Sequence, residues 1–422
     1  MTSKLRYFPL VSVVMPSLNQ VQFLEVAVHS VLEQDYPNIE LIVADGLSTD
    51  GTIQLLVKLQ AKFGVRLKWT SQKDGGAAEA VNFAISQANG QVVGWLNSDD
   101  VYATGAVSAA MTYFAKHPAH QMVYGEGRHI DMAGVAISKY PTKPPSTLLD
   151  AFADGSFICQ PTVFMRREAL SDVGLLDANI KTAFDFDLFV RFFKRYQRHI
   201  GMLKRVQAYS RLHGSCMTQR LRKQVALDGM RVVAKEIGAV PEHWFWTHID
   251  EMCDSYPSGP DALPLMKQLE AFLKDARVYY TADALKSIIE RLKTDARFRL
   301  AKPNLYANVQ PDAWANKQMQ VKYAWEGKPA LAVLVRCVAP WPEPANLRLR
   351  VCTPNGEVQK SSVEVPDEFV LRFEVPKTEQ SGLIVWVVKT TQGFVPAKYD
   401  TKSKDRRKLA IKVLEISLEK SA

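Results

Sequence analysis

The sequence predicts a Rossmann-like α/β domain, a helical connector and an all-β sandwich domain, in that order along the chain. In the N-terminal half, short apolar β-branched runs alternate with segments whose apolar residues recur every three or four positions. This alternation is typical of βαβ units that build a mostly parallel sheet. From about residue 318, short β-rich runs separated by Pro, Gly and Asn favour an antiparallel sandwich. We therefore expect domains at 1–240, 241–305 and 306–422.

Three apolar runs predict the first strands of the sheet. They contain little polar alternation, which suits parallel strands that are covered on both faces. Segments with helical spacing occupy the gaps between these runs, one in the first gap and two in the second. The predicted strands lie at 10–15, 39–44 and 91–96, and the predicted helices at 23–32, 52–63 and 77–88.

The composition is that of a globular protein with more than one core. The chain has 422 residues, 47% of them hydrophobic and 23% charged. No apolar run approaches the roughly 20 residues of a membrane-spanning helix, and we interpret the first run as a strand and not as a signal peptide. The five cysteines are scattered, odd in number and without metal-ligand spacing. We expect free thiols in a reducing compartment, and therefore a cytoplasmic location.

The net charge of +9 attracts phosphates, anionic lipid or nucleic acid without distinguishing among them. No RNP motif, zinc finger or basic helix with heptads accompanies this charge, so we expect no nucleic-acid partner. Peripheral contact with the inner face of a membrane is a hypothesis that the charge supports.

Polar side chains follow the predicted strands at the point where each strand ends. Ser17 and Asn19 come after the first strand, Asp45 after the second, and Asp99 and Asp100 after the third. In open α/β sheets, ligands bind outside the carboxyl ends of the strands. We therefore expect these side chains to converge on one site.

The tetrapeptide Asn97-Ser98-Asp99-Asp100 is a candidate metal site. Two adjacent carboxylates at the end of a buried strand repel each other, and a divalent cation such as Mg²⁺ or Mn²⁺ removes that cost. Such a metal would bind a diphosphate and neutralise the charge that develops as it leaves. Asn, Ser and Asp are also ordinary turn residues, so the tetrapeptide alone favours a plain turn.

The Gly-rich turn after the second strand has two kinds of polar residue. Asp45 is expected to be free to accept hydrogen bonds from a nucleobase N–H, whereas Ser48, Thr49 or Asp50 is expected to cap the next helix. Asp74, which precedes a Gly pair, either contacts a donor or caps the helix that follows.

Two later segments also carry candidate residues. Of Asp185 and Asp187, one is expected to be the N-cap of an amphipathic helix, which leaves the other for proton chemistry. Arg211 and His213 lie beside Gly214 and could meet a phosphate or a metal, although a lone His is usually structural.

Taken together and in order, five segments within about residues 8–220 resemble family 2 glycosyltransferases of the GT-A fold. Any one of them alone is a weak match, whereas five in the right order are specific. The segments are VSVVMPSLNQ, HSVLEQDYPNIELIVADGLSTDGT, SQKDGGAAEAVNFAISQANGQVVGWLNSDDVY, CQPTVFMRREALSDVGLLD and FDFDLFVRFFKRY.

The resemblance implies a donor site for a nucleotide-diphosphate sugar. Pro16, Ser17 and Asn19 would line the nucleotide, Asp45 would pair with its base, and Asp74 would contact the donor.

The resemblance also implies a metal site and a base. Asp99 and Asp100 match the family's metal and ribose-diphosphate pair, with Asp100 the expected direct ligand of Mn²⁺ or Mg²⁺. His213 matches a His that approaches the metal or the diphosphate. Asp185 matches the acid that deprotonates the acceptor hydroxyl, so that one in-line displacement proceeds with inversion.

Two positions depart from the family pattern. The first residue of the metal motif is Asn97, where the family usually has Asp; Asn is a common variant at this position. The residue before Asp185 is Phe184, where the family frequently has an acidic residue. Processive members carry a Gln-x-x-Arg-Trp element, whereas here Lys223 follows Arg222. We therefore expect one transfer per acceptor, to a glycan or lipid-linked acceptor of envelope or surface polysaccharide synthesis.

The C-terminal tail resembles β-sandwich modules appended to some bacterial surface-polysaccharide glycosyltransferases. Such a module would hold an acceptor glycan through Trp325, Trp341 or Trp386, because aromatic faces stack on sugar rings. Core packing is the alternative for each tryptophan and the preferred one for Trp386.

Two other functions share parts of this sequence pattern. A sugar-nucleotide pyrophosphorylase would need an N-terminal Gly-rich loop followed by Arg and Lys, which PSLNQVQFLE does not supply. A non-catalytic nucleotide- or glycan-binding scaffold, or a lectin-like protein, remains open. The joint presence of Asp45, Asp99, Asp100 and Asp185 argues against it.

Overall fold

A computed structural model describes most of the chain, which separates into two compact units, residues 1–244 and 245–422. The described residues are 8–256, 264–302, 305–315, 318–325, 330–339, 345–365, 368–376, 382–393, 396–399 and 403–419.

The first unit is an α/β domain built on a single curled sheet. Within residues 8–244 the strands are β1 (Val11–Ser17), β2 (Ile39–Asp45), β3 (Leu67–Ser71), β4 (Val92–Trp95), β5 (Val101–Tyr102), β6 (Met122–Ile130), β7 (Ala136–Lys139), β8 (Phe164–Arg166) and β9 (Ile200–Arg211). Their order is β3-β2-β1-β4-β8-β6-β9-β5, and β7 pairs with β6. The long pairings, among β1 to β4 and between β6 and β9, are parallel. The predicted fold class, with a mostly parallel sheet, is confirmed.

Helices cover this sheet. They are α1 (Val21–Leu32), α2 (Thr52–Phe63), α3 (Ala77–Ser86), α4 (Ala106–Lys116), α5 (Arg167–Val173), α6 (Phe184–Tyr196), α7 (Met217–Arg220) and α8 (Arg222–Glu236). Six apolar residues of α1, spaced mostly three or four positions apart, are buried, and five of them belong to the hydrophobic core shared with the sheet: Leu24, Ala27, Val28, Val31 and Leu32. Every residue of β1 and β2 is buried, as expected for strands with helices on both faces.

The second unit combines helices with two antiparallel sheets. Its helices are α9 (His243–Ser255), which begins two residues before the boundary, α10 (Leu265–Ala276), α11 (Ala282–Thr294), α12 (Ala296–Leu300) and α13 (Pro396–Tyr399). Its strands are β10 (Leu305–Ala307), β11 (Trp314–Ala315), β12 (Gln318–Trp325), β13 (Ala332–Val338), β14 (Ala345–Cys352), β15 (Val358–Val365), β16 (Glu368–Glu374), β17 (Gly382–Lys389) and β18 (Ile411–Glu419).

In its described part, these strands form sheets of order β10-β12-β17-β14-β15 and β11-β18-β13-β16. Both sheets and α12 contribute to one hydrophobic core, so the predicted all-β sandwich is confirmed. Trp386 is buried in that core, in agreement with the preferred interpretation. Trp341 and the side chain of Trp325 lie outside the described residues. Among the described helices, none has the length and apolarity to cross a bilayer.

Candidate active site

The carboxyl ends of three neighbouring strands lie level with one another. Ser17 of β1 is the register partner of Asp45 of β2, and Asp45 is the partner of Ser71 of β3. Pro16 lies one residue earlier, still within β1. The Ser17 hydroxyl oxygen is buried and has no hydrogen-bond partner among the described residues. An unsatisfied buried hydroxyl at a strand end is a position where a bound ligand supplies the missing partner.

The Asp45 carboxylate is not free, contrary to expectation. Its Oδ2 accepts from the Ser48 backbone N–H at 3.0 Å and from the Ser71 hydroxyl at 2.7 Å, and its Oδ1 accepts from the Ser48 hydroxyl at 2.5 Å. These bonds occupy three of about four acceptor positions of a carboxylate. The loop therefore holds the Asp45 carboxylate in place and leaves it about one acceptor position for a ligand.

The loops after β1 and β2 are hydrogen-bonded to each other. Asn19 has a positive φ of 53°, donates its backbone N–H to the Ser48 hydroxyl at 2.7 Å, and accepts from the Thr49 N–H at 2.8 Å. Asp50 Oδ1 accepts from the Thr52 N–H at 3.0 Å, at the start of α2, although the N-cap of α2 is Gly51 and not one of the three expected residues. The Val21 N–H at the start of α1 donates to the same carboxylate at 2.9 Å.

Asp74 lies beside this pair of loops. Its Oδ1 accepts from the Gly76 N–H at 3.0 Å, just ahead of α3. A Cβ at Gly46 would come within 3.0 Å of its Oδ2, so Asp74 is packed against the residue that follows Asp45. The N-cap of α3 is Gly76, so Asp74 does not cap this helix; it holds the loop ahead of α3 and lies close to Asp45.

The Asn97–Asp100 turn carries one buried and one partly exposed carboxylate. Asp100 Oδ1 accepts from the Arg211 backbone N–H at 2.8 Å, and Asn97 Nδ2 lies 3.4 Å from Asp100 Oδ2. Burial and the neighbouring Asp99 charge raise the pKa of Asp100 well above its ordinary value, against the lowering effect of the Arg211 N–H. Asp99 keeps 17% of its side chain exposed.

His213 contacts Asp99, one of the two acidic residues predicted to bind metal. Its Nε2 lies 3.0 Å from Asp99 Oδ2 and its Nδ1 lies 2.8 Å from the Ser215 hydroxyl. Within the described ranges, no group of three or more His, Cys, Asp or Glu side chains could hold a metal by itself. Carboxylate oxygens that repel each other in a buried turn fit a hard divalent cation, provided that a bound diphosphate supplies further oxygens.

Arg211 is a positioning residue whose partners the sequence did not reveal. Its guanidinium donates to the backbone oxygens of Asp99 at 2.8 Å, Asp131 at 2.7 Å and Met132 at 3.0 Å. The guanidinium also lies over the Phe23 ring, 4.7 Å from its centroid. Arg211 therefore fixes both the main chain of Asp99 and, through its own N–H, the side chain of Asp100.

The two acids at the start of α6 have different surroundings. Asp187 is fully buried and pairs with Arg191 at 2.8 Å and with Lys235 at 3.3 Å. Asp185 is partly buried, and burial raises its pKa to about 6 despite hydrogen bonds from the backbone N–H groups of Phe186 and of Asp185 itself. Neither acid is the N-cap, which is Ala183, so that expectation is wrong. Asp187 is committed to ion pairs, and Asp185 is the acid left for proton chemistry.

The metal motif and the start of α6 lie against each other. The Trp95 ring stacks on Phe184, with centroids 5.8 Å apart. Gln160 donates to the Trp95 carbonyl at 2.7 Å and accepts from Asn97 Nδ2 at 3.1 Å. Burial and then the charges of Asp100 and Asp185 raise the pKa of the Cys159 thiol, which places it near both carboxylates. The sheet thus brings the Asp100 turn and Asp185 to one site.

Comparison with known proteins identifies this unit. Residues 12–174 match the family model of glycosyl transferase family 2. This segment of the N-terminal unit is similar to that family, and the protein is a glycosyltransferase.

Individual relatives cover about half of the chain. The putative teichuronic acid biosynthesis glycosyltransferase TuaG of Bacillus subtilis is 28% identical over 213 residues, which are 50% of this chain and 83% of TuaG. Chondroitin synthase of Escherichia coli is 28% identical over 219 residues, 50% of this chain and 30% of that enzyme. Among solved structures, S. aureus TarS 1–349 in complex with UDP aligns over 67% of this chain and 91% of that chain, with 19% identity and a TM-score of 0.46.

Proposed function

We propose that the protein transfers a sugar from a nucleotide-diphosphate donor to a glycan or lipid-linked acceptor, with inversion at the anomeric carbon. The observation that carries the proposal is Asp185, a carboxylate without a cationic partner among the described ion pairs. It follows Phe184, whose ring stacks on Trp95 just before the Asn97–Asp100 turn. The names of two relatives, TuaG and chondroitin synthase, support a role in surface polysaccharide synthesis.

The donor binds across the ends of β1, β2 and β4 in this proposal. Pro16, Ser17 and Asn19 line the nucleotide, and the unsatisfied Ser17 hydroxyl supports their assignment. Asp45 uses its remaining acceptor position for the base, and Asp74 closes the same side of the site. The hydrogen bonds between the two loops preorganise this surface, which lowers the entropy cost of binding.

A divalent cation, Mn²⁺ or Mg²⁺, belongs to the same proposal. Asp100 and Asp99 hold it together with His213, and when bound it neutralises the charge that develops on the leaving diphosphate. Its support is the position of two adjacent carboxylates in one turn, where burial and then the charge of Asp99 raise the pKa of Asp100.

Asp185 acts as the general base. It takes the proton of the acceptor hydroxyl while that oxygen bonds to the anomeric carbon, on the face opposite the diphosphate. The bond from the anomeric carbon to the phosphate oxygen breaks, and the nucleoside diphosphate leaves with the electron pair. A pKa of about 6 suits this task, because the carboxylate is ionised at neutral pH and still basic enough to accept a proton.

A cytoplasmic location with peripheral contact to the inner face of the membrane is also proposed. All five cysteines are free in the structure, which supports a reducing compartment. The net charge of +9 supports contact with anionic lipid, and no nucleic-acid partner is proposed.

The test is a turnover assay on the full chain with UDP-, GDP- and dTDP-sugars. With Mn²⁺ present, we expect one nucleotide class to release nucleoside diphosphate by transfer to water, and EDTA to slow that release by about 100-fold or more. Proton NMR of the freed sugar should show the inverted anomer first. Retention of configuration, or turnover indifferent to EDTA, would contradict the proposal. If no donor turns over, the non-catalytic scaffold becomes the better account.

A further inference from the structure

The two outer faces of the C-terminal sandwich differ in how their charges are compensated. On the β11-β18-β13-β16 sheet, Arg336 and Arg372 each contact two carboxylates. Arg336 pairs with Glu368 at 3.5 Å and Glu415 at 3.4 Å, and Arg372 pairs with Glu374 and Glu419, both at 2.9 Å. This face is a ladder of ion pairs in which every described arginine is neutralised.

The other sheet carries a row of cations. In the strand register, Lys389 of β17 lies opposite Arg350 of β14, and Arg350 lies opposite Lys360 of β15. Arg348, two residues before Arg350, points to the same side, and all four side chains are exposed. We call Arg348, Arg350, Lys360 and Lys389 the cationic face. Among the described ion pairs, none joins a carboxylate to these four residues.

A row of like charges lowers the stability of the folded domain unless an anion neutralises it. Neighbouring strands lie about 4.8 Å apart, so Lys389, Arg350 and Lys360 hold three like charges within roughly 10 Å. Like charges directly opposite each other destabilise a sheet. The ladder on the other sheet shows that this domain pairs its arginines with acids elsewhere. The composition of the cationic face is therefore that of a surface whose charges are neutralised when an anionic partner binds.

We propose that the cationic face binds an anionic polysaccharide, one that carries uronate or phosphate groups. This inference rests on the proposed function, because it takes the anionic partner to be a glycan. Arginine guanidinium groups bind carboxylate and phosphate through paired N–H donors, and a row across strands presents several such donors to consecutive charges of a chain. The polar Gln318 continues the row beyond Lys389, which extends the surface for a linear polymer.

The test compares two double variants of the full chain that lose equal charge from the same domain. R348Q/R350Q removes two unpaired arginines from the cationic face, and the matched control R336Q/R372Q removes two paired arginines from the other sheet. Binding of polygalacturonate is measured at several salt concentrations, with neutral dextran as the negative ligand. We expect R348Q/R350Q to weaken binding about tenfold or more and to lower the salt slope by about two, with R336Q/R372Q close to wild type.

Other outcomes overturn the proposal. Equal loss in both double variants would mean that only net charge matters. If the wild type does not bind polygalacturonate, the cationic face is not a binding site for anionic polysaccharide. If the wild type binds anionic phospholipid vesicles but not polygalacturonate, and R348Q/R350Q does not bind the vesicles, the partner is a membrane and not a glycan. Equal displacement of polygalacturonate by single-stranded DNA would reduce the surface to a general polyanion site.

The binding assay uses no donor and no turnover, so its result is separable from the proposed function. We expect R348Q/R350Q to hydrolyse the donor at the wild-type rate, and a variant of the base, Asp185→Asn, to bind polygalacturonate like the wild type. A wild type that turns over the donor but does not bind polygalacturonate, or that binds polygalacturonate without turning over a donor, shows which of the two proposals has failed.

Discussion

Replacing Asp185 by Asn should lower kcat by about 10²–10⁴-fold while it makes the protein more stable. The Asn side chain cannot take up the proton of the acceptor hydroxyl, so the variant has no general base. It also removes a carboxylate whose pKa is raised from 3.8 to about 6 in the folded chain. That shift corresponds to about 3 kcal/mol at most at neutral pH, so thermal unfolding should show an increase in melting temperature of several degrees.

The pH dependence of both quantities follows from the same shift. Because the folded protein binds the Asp185 proton more tightly than the unfolded chain, the stability from this group is fully present below about pH 4 and is lost as the pH rises through about 6. The stability gain of Asp185→Asn should therefore grow between these values. In the wild type, kcat/KM should rise with pH to a plateau above about 6.

Asp187→Asn is the matched control, two residues away on the same helix. Asp187 is buried and pairs with Arg191 and Lys235, so its replacement should lower the free energy of unfolding by about 3 kcal/mol. Opposite signs of the stability change at Asp185 and Asp187 are the expected result. A destabilised Asp185→Asn with normal turnover would contradict the assignment of the base.

Arg211→Ala should lower the free energy of unfolding by about 3 kcal/mol or more and abolish metal-dependent donor binding. The change removes three hydrogen bonds to backbone carbonyls and the contact over Phe23. Because one of those carbonyls belongs to Asp99, the turn that carries both acidic residues loses its support. Chemical denaturation and nucleotide titration with Mn²⁺ measure the two effects.

Arg166→Ala controls for the loss of a packed arginine as such. Arg166 also donates to two backbone carbonyls, those of His120 at 2.8 Å and Pro118 at 3.1 Å, and lies over an aromatic ring, that of Phe114. It has no contact with the Asp99–Asp100 turn among the described hydrogen bonds. Stability should fall in both variants, but donor binding should fall only in Arg211→Ala. Equal binding losses would show that Arg211 has no specific positioning role.

The elements with strong local signals were predictable. The unbroken apolar runs of β1 and β2 reflect burial of these strands on both faces of the sheet. The apolar spacing of α1 reflects the one helix face that is buried, and both patterns are visible in the sequence. Strand β3 was missed because its residues Leu67–Ser71 are only partly buried and contain no long apolar run. Its last residue, Ser71, is nevertheless a hydrogen-bond partner of Asp45.

The partners of the site residues were not predictable, because they come from distant parts of the chain. Asp45, Asp99 and Asp185 were found from their position after strands or from the family resemblance. The carbonyls that bind Arg211 lie about 80 to 110 residues away, and sequence spacing carries no signal of that kind. Asn82 shows the same limit. Its amide donates to the Leu176 carbonyl at 2.8 Å and accepts from the Leu176 N–H at 3.0 Å, a partner 94 positions away in the sequence.

In the proposed mechanism, the Asp99–Asp100 turn binds a nucleotide diphosphate together with a divalent cation. Its most direct test is calorimetric titration of UDP, GDP and dTDP into the wild type and Asp100→Ala, each with and without Mn²⁺. We predict that one nucleotide binds the wild type only when Mn²⁺ is present, and that Asp100→Ala loses this dependence. Equal binding with and without metal, or an Asp100→Ala variant that behaves like the wild type, would contradict the claim.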